Sequence, residues 1–291
     1  MAVIRLRSLG DCVLTTPALD ILKRFRPDVR LTMVVEERFR SLFEGNPDVD
    51  EILPPDLLRL RRACPVLCLN FHGGPRSAWM TALSGARWRA GFGHFRNRFV
   101  YNLSLPRAEE VLGVERTVHT AEHLASAIFY LGASQCEVPR AKLFATKAAA
   151  PSAIVHPVAA TAAKTWPAER FLQVAQWLEA SGTKVVIIGS AVDDLSRFRA
   201  FPVLSGAPLS HILSLMARAV LFVGNDSGPA HMAAAFGVPS VVLFGASDPG
   251  VWGPWRTSCE VLSAPGNISE IRTEQVIEAL ERVRRASQVR A

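Results

Sequence analysis

Short apolar runs alternate with longer amphipathic stretches along the whole of this chain of 291 residues. The apolar runs have the length of buried strands, and the stretches between them carry apolar residues at helical spacing. Strands that alternate with helices in this way predict parallel sheets covered by helices on both faces. The pattern therefore predicts an α/β fold.

The first half of the chain opens with a strand, a turn and a helix. We predict the strand over residues 2–7, the turn over Ser8–Asp11 and a helix to about residue 26, with Thr16-Pro17 at the start of its regular part. A loop rich in Gly and Arg is predicted over 85–97. The further predicted strands are 31–35, 48–53 and 66–70, and the further predicted helices are 38–44, 76–84 and 118–131.

The pattern restarts after a stretch of small residues, 147–152, which is the best linker candidate. We therefore predict two domains, 1–148 and 149–291, of ordinary domain size. The last helix is a candidate to pack back on the first domain. The elements predicted for the second half are strands 153–156, 184–189, 219–223 and 241–244, helices 169–180, 210–218 and 273–285, and a helix bearing aspartates after residue 189.

The most informative stretch joins the strands 219–223 and 241–244. Between them Ser227 can cap a helix whose first turn holds Pro229, and Gly237 can end it. A helix that begins at the carboxyl end of a strand offers N–H groups and a dipole that favour an anion such as phosphate. The alternative is an ordinary capped helix.

Three other loops follow predicted strands. Asp11 can act as a general base or can cap the first helix. Thr161 and Lys164 lie in a small-residue loop that suits a phosphate, although Lys164 can equally be an exposed lysine. Asp193 can bind ribose hydroxyls or cap a helix. Ligands of parallel sheets bind beyond the carboxyl ends of strands, so two facing domains would place these loops at a central cleft.

Charge is distributed unevenly along the chain. The net charge is +7, and residues 1–150 hold 21 Lys or Arg and 15 Asp or Glu. There is no acidic residue between Asp56 and Glu109. Such a stretch suits a nucleic acid, an anionic membrane face or a phosphorylated substrate, or it is a solvated face. The nine arginines in this interval are Arg59, Arg61, Arg62, Arg76, Arg87, Arg89, Arg96, Arg98 and Arg107.

Several classes of protein fit the sequence poorly. The apolar runs are too short to cross a bilayer, and the start lacks the pattern of a signal peptide. Five scattered cysteines suit reduced thiols, so we predict a cytoplasmic protein. Cys64 and Cys68 have no second pair to complete a zinc site. His119 and His123 lack the glutamate of a metalloprotease motif, and no three-glycine dinucleotide or Walker motif is present.

Taken together, these loops resemble glycosyltransferase family 9, the ADP-heptose:lipopolysaccharide heptosyltransferases. The resemblance covers nearly the whole chain. One departure is Val158, since the family usually has Gly after His-Pro. The matching residues are Ile4–Asp11, Thr16–Leu19, Arg76–Ala78, Leu83–Ala86, Gly91–Phe92, His156–Pro157, Lys164–Pro167, Phe171, Gly224–His231 and Leu243–Pro249.

The resemblance implies a GT-B fold, in which two Rossmann-like domains with parallel sheets face a central cleft that holds the active site. It also implies that the first domain binds the acceptor and the second the nucleotide-sugar. By resemblance, Asp11 is the general base and Lys164 contacts the donor phosphate. The implied donor-binding residues are Thr161, Asp193, Asp226, Ser227 and Gly228, and the expected acceptor-binding residues are Arg76, Arg87, Arg89, Arg96 and Arg98.

The activity implied by the resemblance is inverting transfer of a heptose from ADP-heptose to a lipopolysaccharide inner-core acceptor, without a metal or another cofactor. The arginines then fit an anionic glycolipid or oligosaccharide near the cytoplasmic face of the inner membrane, rather than a nucleic acid. One alternative is a related GT-B transferase or an epimerase that uses a UDP- or GDP-linked sugar. Another is a non-catalytic binder of an anion such as RNA, but aromatic stacking platforms are not evident among the arginines.

Overall fold

The computed structural model describes residues 1–146 and 150–288, which form two compact units, Met1–Phe144 and Ala145–Ala291. Residues 147–149, which include the predicted domain boundary, lie outside the described residues. Each unit contains a sheet of six parallel strands with helices between them. The predicted α/β class with parallel sheets is confirmed.

In the first unit the strands lie in the order β3-β2-β1-β4-β5-β6. The chain passes from β1 to one side and then returns to place β4 on the other side, so the strand order reverses beside β1. The strands are β1 (Ala2–Ile4), β2 (Thr32–Val34), β3 (Glu51–Leu53), β4 (Leu67–Asn70), β5 (Trp88–Phe92) and β6 (Leu103–Leu105). The helices are α1 (Leu9–Phe25), α2 (Leu57–Arg62), α3 (Pro75–Leu83), α4 (Ala108–Leu112) and α5 (Thr120–Tyr130).

The first helix differs from the sequence expectation. Residues Leu9 to Asp11 already belong to α1, and Pro17 lies inside the helix rather than near its start. Proline has no N–H to donate to the carbonyl four residues earlier. The Thr16 hydroxyl donates to the Val13 carbonyl oxygen at 2.9 Å and so supplies the missing bond. The helix therefore continues through its proline.

The stretch predicted as a loop over 85–97 contains a strand, β5. Its inner residues Ala90 and Phe92 are fully buried, while Arg89 just before them obscures the apolar pattern. The Arg89 guanidinium donates to the carbonyl oxygen of Val100 at 3.1 Å, so its charge is turned out of the core. The side chain of Tyr101 packs against Gly91 so closely that a Cβ there would approach the ring to 2.5 Å.

The second unit repeats the arrangement with the strand order β12-β11-β10-β7-β8-β9, which reverses between β7 and β10. The strands are β7 (Ala153–His156), β8 (Val185–Gly189), β9 (Val203–Ser205), β10 (Leu221–Asn225), β11 (Ser240–Phe244) and β12 (Cys259–Ser263). The helices are α6 (Ala168–Ala180), α7 (Leu209–Met216), α8 (Gly228–Phe236), α9 (Pro249–Trp252) and α10 (Thr273–Gln288). After β8 the expected helix with aspartates is a turn followed by a single 3-10 turn, Ser196–Phe198.

The core of the second unit is built around Trp166, which is fully buried. Its ring packs edge-on against Phe171, and its Nε1–H donates to the carbonyl oxygen of Ile271 at 2.8 Å. Helix α10 packs on this same core through Val276 and Leu280. This packing fixes the loop that precedes α6, which is the loop that carries Lys164.

Candidate active site

Both sheets have a point where the strand order reverses, and Asp11, Lys164 and Asp226 lie at the carboxyl ends of the strands there. In open α/β sheets this is the usual place for a ligand. Asp11 follows β1 in the first unit, and Asp226 follows β10 in the second.

Lys164 and Asp226 form the central contact of the second unit. The Lys164 ammonium donates to Oδ2 of Asp226 at 3.0 Å; the carboxylate side chain is 7% exposed and the lysine side chain 34%. Ser247, in the loop after β11, donates a further hydrogen bond to the same oxygen. An ammonium has three N–H donors, so this pairing leaves Lys164 free to contact an anion as well.

The close approach of the Lys164 loop to the sheet depends on a glycine. A Cβ on Gly245, directly after β11, would overlap the carbonyl oxygen of Ala163. Thr161 begins the 3-10 turn that carries Lys164, and its carbonyl oxygen accepts from the Lys164 N–H at 3.0 Å. Val158 at the start of this loop packs against the core of the second unit, which anchors the loop where the family usually has Gly.

Ser227 stands at the N-cap of α8, but its hydroxyl makes no capping bond to the described residues of that helix. It donates to the carbonyl oxygen of Asn225 at 3.0 Å and therefore accepts from Nδ1–H of His156 at 3.1 Å. Burial lowers the pKa of His156 to about 4, partly offset by Asp193, so the imidazole is neutral. In the first turn of α8, Pro229 has no N–H and the N–H of Ala230 donates to the carbonyl oxygen of Ser227 at 3.1 Å. The N–H of Gly228 is therefore the first-turn donor that is placed to contact an anion.

Asp193 lies beyond β8, two strands away from Asp226 across the sheet. Its Oδ2 accepts from the N–H of Ser190 at 2.6 Å and from the Ser190 hydroxyl at 2.7 Å. The carboxylate thus closes the turn after β8. With strands about 4.8 Å apart, Asp193 and Asp226 stand about 10 Å apart along one sheet edge.

In the first unit, Asp11 is held by three donors. Arg5, which is buried, donates from Nη2 to Oδ1 at 2.5 Å and from Nη1 to the carbonyl oxygen of Phe71 at 2.5 Å. Ser8 donates to Oδ2 from its N–H at 3.2 Å and from its hydroxyl at 2.9 Å. Asp11 is therefore a helix-capping residue whose carboxylate is also fixed in direction and stays partly exposed.

An aromatic and imidazole cluster lines the same edge of the first sheet. The ring of His123, on α5, stacks on Phe92 at 4.1 Å, and His94 lies 5.4 Å from His123. Burial, and then the neighbouring His94, lowers the pKa of His123 to about 4. Burial likewise lowers the pKa of His72, whose Nδ1 lies 3.2 Å from the carbonyl oxygen of Arg7. These are neutral, weakly polar rings suited to pack against a sugar.

The five arginines expected at the acceptor lie in different places. Arg76 is in the first turn of α3, at the edge that holds Asp11, and donates to the carbonyl oxygen of Pro55. Arg87 and Arg89 are at the start of β5, the opposite end of that strand. Arg96 and Arg98 are exposed between β5 and β6. Arg98 lines an open cavity of about 480 Å³ together with His94 and Arg107.

Some site residues were not singled out by sequence reasoning alone. Ser247 holds Asp226, His156 holds Ser227, and Arg5 holds Asp11. Each follows or ends a strand at the same edge as its partner, which is the signal that points to it. The spacing of Ser8 and Asp11 also fits a capping box.

Two further findings concern the described residues only. Among them, no group of three or more His, Cys, Asp or Glu side chains is placed to hold a metal ion. Within the same ranges, no helix has both the length and the apolar character needed to span a membrane.

The family model described as glycosyltransferase family 9 (heptosyltransferase) matches residues 60–279. Lipopolysaccharide heptosyltransferase 3 of Escherichia coli (strain K12) is 27% identical over 288 residues, which cover 86% of this chain and 83% of that protein. The crystal structure of the glycosyl transferase family 9 from Veillonella parvula DSM 2008 superposes with a TM-score of 0.85 at 25% identity, covering 97% and 96% of the two chains. The structure of E. coli ADP-heptose lps heptosyltransferase II superposes with a TM-score of 0.84 at 20% identity, covering 99% of each chain.

These similarities agree with the fold and with the motifs at its strand ends. Two parallel six-stranded sheets, each wound in the Rossmann manner, make up the GT-B fold that the resemblance implies. The family match extends over more than half of the chain and takes in Lys164 and Asp226. The chain belongs to glycosyltransferase family 9, and the protein is a glycosyltransferase.

Proposed function

We propose that the protein transfers a heptose from ADP-heptose to an inner-core lipopolysaccharide acceptor, with inversion at the anomeric carbon and without a metal ion. The relatives named above as lipopolysaccharide or ADP-heptose heptosyltransferases support this choice of substrates. The observation that carries the proposal is the contact between Lys164 and Asp226 beside Gly228, at the start of α8.

In this proposal the donor lies along the carboxyl edge of the second sheet. Its diphosphate contacts Lys164 and the N–H of Gly228, with Thr161 and Ser227 beside it. Its ribose reaches Asp193, about 10 Å away by the strand spacing, which suits the length of a nucleoside diphosphate. The ribose hydroxyls would then compete with Ser190 for the Asp193 carboxylate.

The reaction forms negative charge on the departing diphosphate. Lys164 supplies a positive charge there, and the N-terminus of α8 supplies the N–H of Gly228 and the positive end of its dipole. Asp226 keeps the ammonium in place, because its buried carboxylate holds one of the three N–H donors. These groups can provide the stabilisation that a divalent cation gives in metal-dependent enzymes.

Asp11 is the proposed general base. Its Oδ1 has a lone pair besides the one engaged by Arg5, whereas Oδ2 already accepts two hydrogen bonds from Ser8. As the acceptor oxygen attacks the anomeric carbon, its proton passes to Asp11 and the bond from that carbon to the diphosphate oxygen breaks. Attack from the side opposite the leaving group inverts the configuration.

The acceptor is proposed to bind to the first unit. Its sugar rings would pack on the neutral histidine and phenylalanine rings near Asp11, and its carboxylates or phosphates would meet Arg76, Arg96 and Arg98. Arg87 and Arg89, at the far end of β5, would contact only more distant parts of the acceptor. The reaction is placed at the cytoplasmic side of the inner membrane.

A transfer assay with the full-length protein tests the proposal. ADP-heptose and a deacylated, Kdo-bearing inner-core oligosaccharide are incubated with the protein in EDTA, and the products are followed by mass spectrometry and NMR. We expect one heptosyl group on the acceptor for each ADP released, with the anomeric configuration opposite to that of the donor. Transfer only from UDP- or GDP-linked sugars, retention of configuration, or loss of activity in EDTA would each contradict the corresponding part of the proposal.

A further inference from the structure

Three large apolar side chains stand exposed together on the first unit. Trp79 is 56% exposed, Leu83 is 50% exposed and Phe99 is 73% exposed. The rings of Trp79 and Phe99 are in edge-to-face contact with their centroids 6.4 Å apart. We call these three residues the aromatic patch. We propose that the aromatic patch, with the arginines around it, docks the protein onto the surface of an anionic lipid bilayer.

The amphipathic character of α3 accounts for the exposure. Trp79 and Leu83 are four residues apart and therefore share one face of the helix. The opposite face is buried through Ser77 and Thr81, and the flanking residues Ala78 and Met80 pack into the first unit. Phe99 is held beside Trp79 by the 3-10 turn Arg98–Val100. These three apolar side chains are exposed to water, and nothing in the described part of the first unit covers them.

Three arginines lie close to the patch along the chain, and Glu110 lines the same cavity as Arg98. Arg76 is three residues before Trp79 on α3, while Arg96 and Arg98 precede Phe99, and all three are exposed. No acidic residue occurs between Asp56 and Glu109. Basic residues next to exposed tryptophan and phenylalanine side chains are the combination that binds the interface of a membrane with anionic lipids.

Charge disfavours one other occupant, a second copy of the chain, and ring geometry disfavours another, a nucleic acid strand. In a symmetric dimer the patch would face its own copy, and the arginines would repel each other across the contact. A nucleic acid strand binds through bases stacked on open aromatic faces. Here the edge of one ring of the patch is turned against the other, and the aliphatic Leu83 completes the surface. Both features suit acyl chains and headgroups better than bases.

The position of α3 connects the patch to the candidate active site of the first unit. The helix begins directly after β4 and its loop, at the edge that holds Asp11, and runs away from that edge. At about 1.5 Å per residue, Leu83 lies about 12 Å along the helix axis from Pro75. A protein docked through α3 would therefore keep the edge that holds Asp11 beside the headgroups.

Vesicle binding of the full-length protein tests the inference. The double variant Trp79→Gln/Phe99→Gln is compared with the wild type by co-sedimentation with vesicles of phosphatidylglycerol and phosphatidylethanolamine, and with vesicles of phosphatidylcholine. We expect the wild type to bind the anionic vesicles at least about tenfold more tightly than the neutral ones, and the double variant to lose about tenfold in affinity for the anionic vesicles. Replacing Arg96 and Arg98 by Gln should weaken binding to the anionic vesicles and reduce its salt dependence.

A matched control is available in the second unit, where Arg218 is exposed and Val220 is 47% exposed. The variant Arg218→Gln/Val220→Gln should bind vesicles within about twofold of the wild type. Equal loss in both double variants, or no preference of the wild type for anionic vesicles, would overturn the inference. So would a change in sedimentation coefficient of Trp79→Gln/Phe99→Gln that reveals the loss of a dimer, or salt-sensitive RNA binding that disappears with the patch.

The transfer assay separates this inference from the proposed function. Trp79 and Phe99 have no part in the proposed chemistry, so the double variant should use a soluble, deacylated acceptor at the wild-type rate. A wild type that binds anionic vesicles through the patch but does not transfer heptose would leave the docking surface standing and refute the activity. A wild type that transfers heptose normally but does not bind anionic vesicles would support the activity and refute the docking surface.

Discussion

Replacing Lys164 by Ala is the sharpest test of the proposal that the second unit binds the donor. The change removes the ammonium that lies 3.0 Å from Oδ2 of Asp226. Asp226 keeps its bond from Ser247 but loses its ionic partner in a setting where its side chain is 7% exposed. If Lys164 contacts the diphosphate, the change also removes a cation from the ground state and from the transition state.

The loss of the ion pair with Asp226 and the loss of the contact with the diphosphate have effects of different sizes. Breaking a fully buried ion pair costs 3–5 kcal/mol, but a third of the Lys164 side chain is exposed, so we expect a loss of about 1–2 kcal/mol in the free energy of unfolding. A charged hydrogen bond of about 1.5–3 kcal/mol predicts roughly tenfold to hundredfold weaker ADP binding. Loss of leaving-group stabilisation predicts a fall in kcat of about 10²–10³-fold. Thermal unfolding, calorimetric ADP titration and steady-state kinetics measure the three quantities.

Lys142 provides a matched control in the first unit. Its ammonium lies 3.1 Å from Oδ2 of Asp20, whose side chain is also 7% exposed. The variant Lys142→Ala should lose some stability but retain the wild-type Kd for ADP and kcat within about twofold. If Lys164→Ala matches Lys142→Ala in both Kd and kcat, the pair is merely structural and the reasoning about the diphosphate is wrong.

Three further predictions follow from the same structure. Asp11→Asn, which keeps a hydrogen-bonding side chain beside the buried Arg5, should lower kcat by about 10²–10⁴-fold with little change in ADP affinity, and unchanged turnover would remove Asp11 from its role. ADP at about 100 times its Kd should stabilise the protein by about 2.7 kcal/mol in thermal unfolding, and equal or larger shifts with UDP or GDP would argue for another donor. Burial lowers the pKa of His123 from 6.5 to about 4, so the unfolded chain binds a proton that the folded protein does not, and stability falls as the pH drops from about 6.5 to 4. His123→Phe preserves the stack on Phe92 and should remove up to about 3 kcal/mol of that loss, whereas an unchanged pH profile of unfolding would show that His123 is not responsible.

The positions of Lys164 and Asp226 directly after strands could largely be predicted from the sequence. The turn that contains Asp226 and Ser227 has a strong local signature, with a capping residue, an early proline and a terminal glycine. Lys164 follows the apolar strand that became β7. The pairing of β7 with β10, which brings Lys164 to Asp226, depends on the order of strands across the sheet, and local periodicity does not contain that order.

Other features were not predictable from pattern. The helix that carries Asp11 starts earlier than Pro17 suggests, because the Thr16 hydroxyl replaces the missing donor. Strand β5 is not evident from the pattern because Arg89 interrupts its apolar run. The guanidinium of Arg89 reaches its backbone partner, the carbonyl oxygen of Val100, only in the folded unit. In each case a side-chain hydrogen bond overrides the local propensity of the chain.

In the proposed function, the second unit holds the donor diphosphate against Lys164 and the N–H of Gly228. A crystal structure of the full-length protein with ADP measures this directly. We predict a phosphate oxygen within about 3 Å of the Lys164 ammonium and another within about 3 Å of the Gly228 N–H, with the ribose beside Asp193. Well-defined ADP bound elsewhere, with Lys164 still paired only with Asp226, would contradict the account.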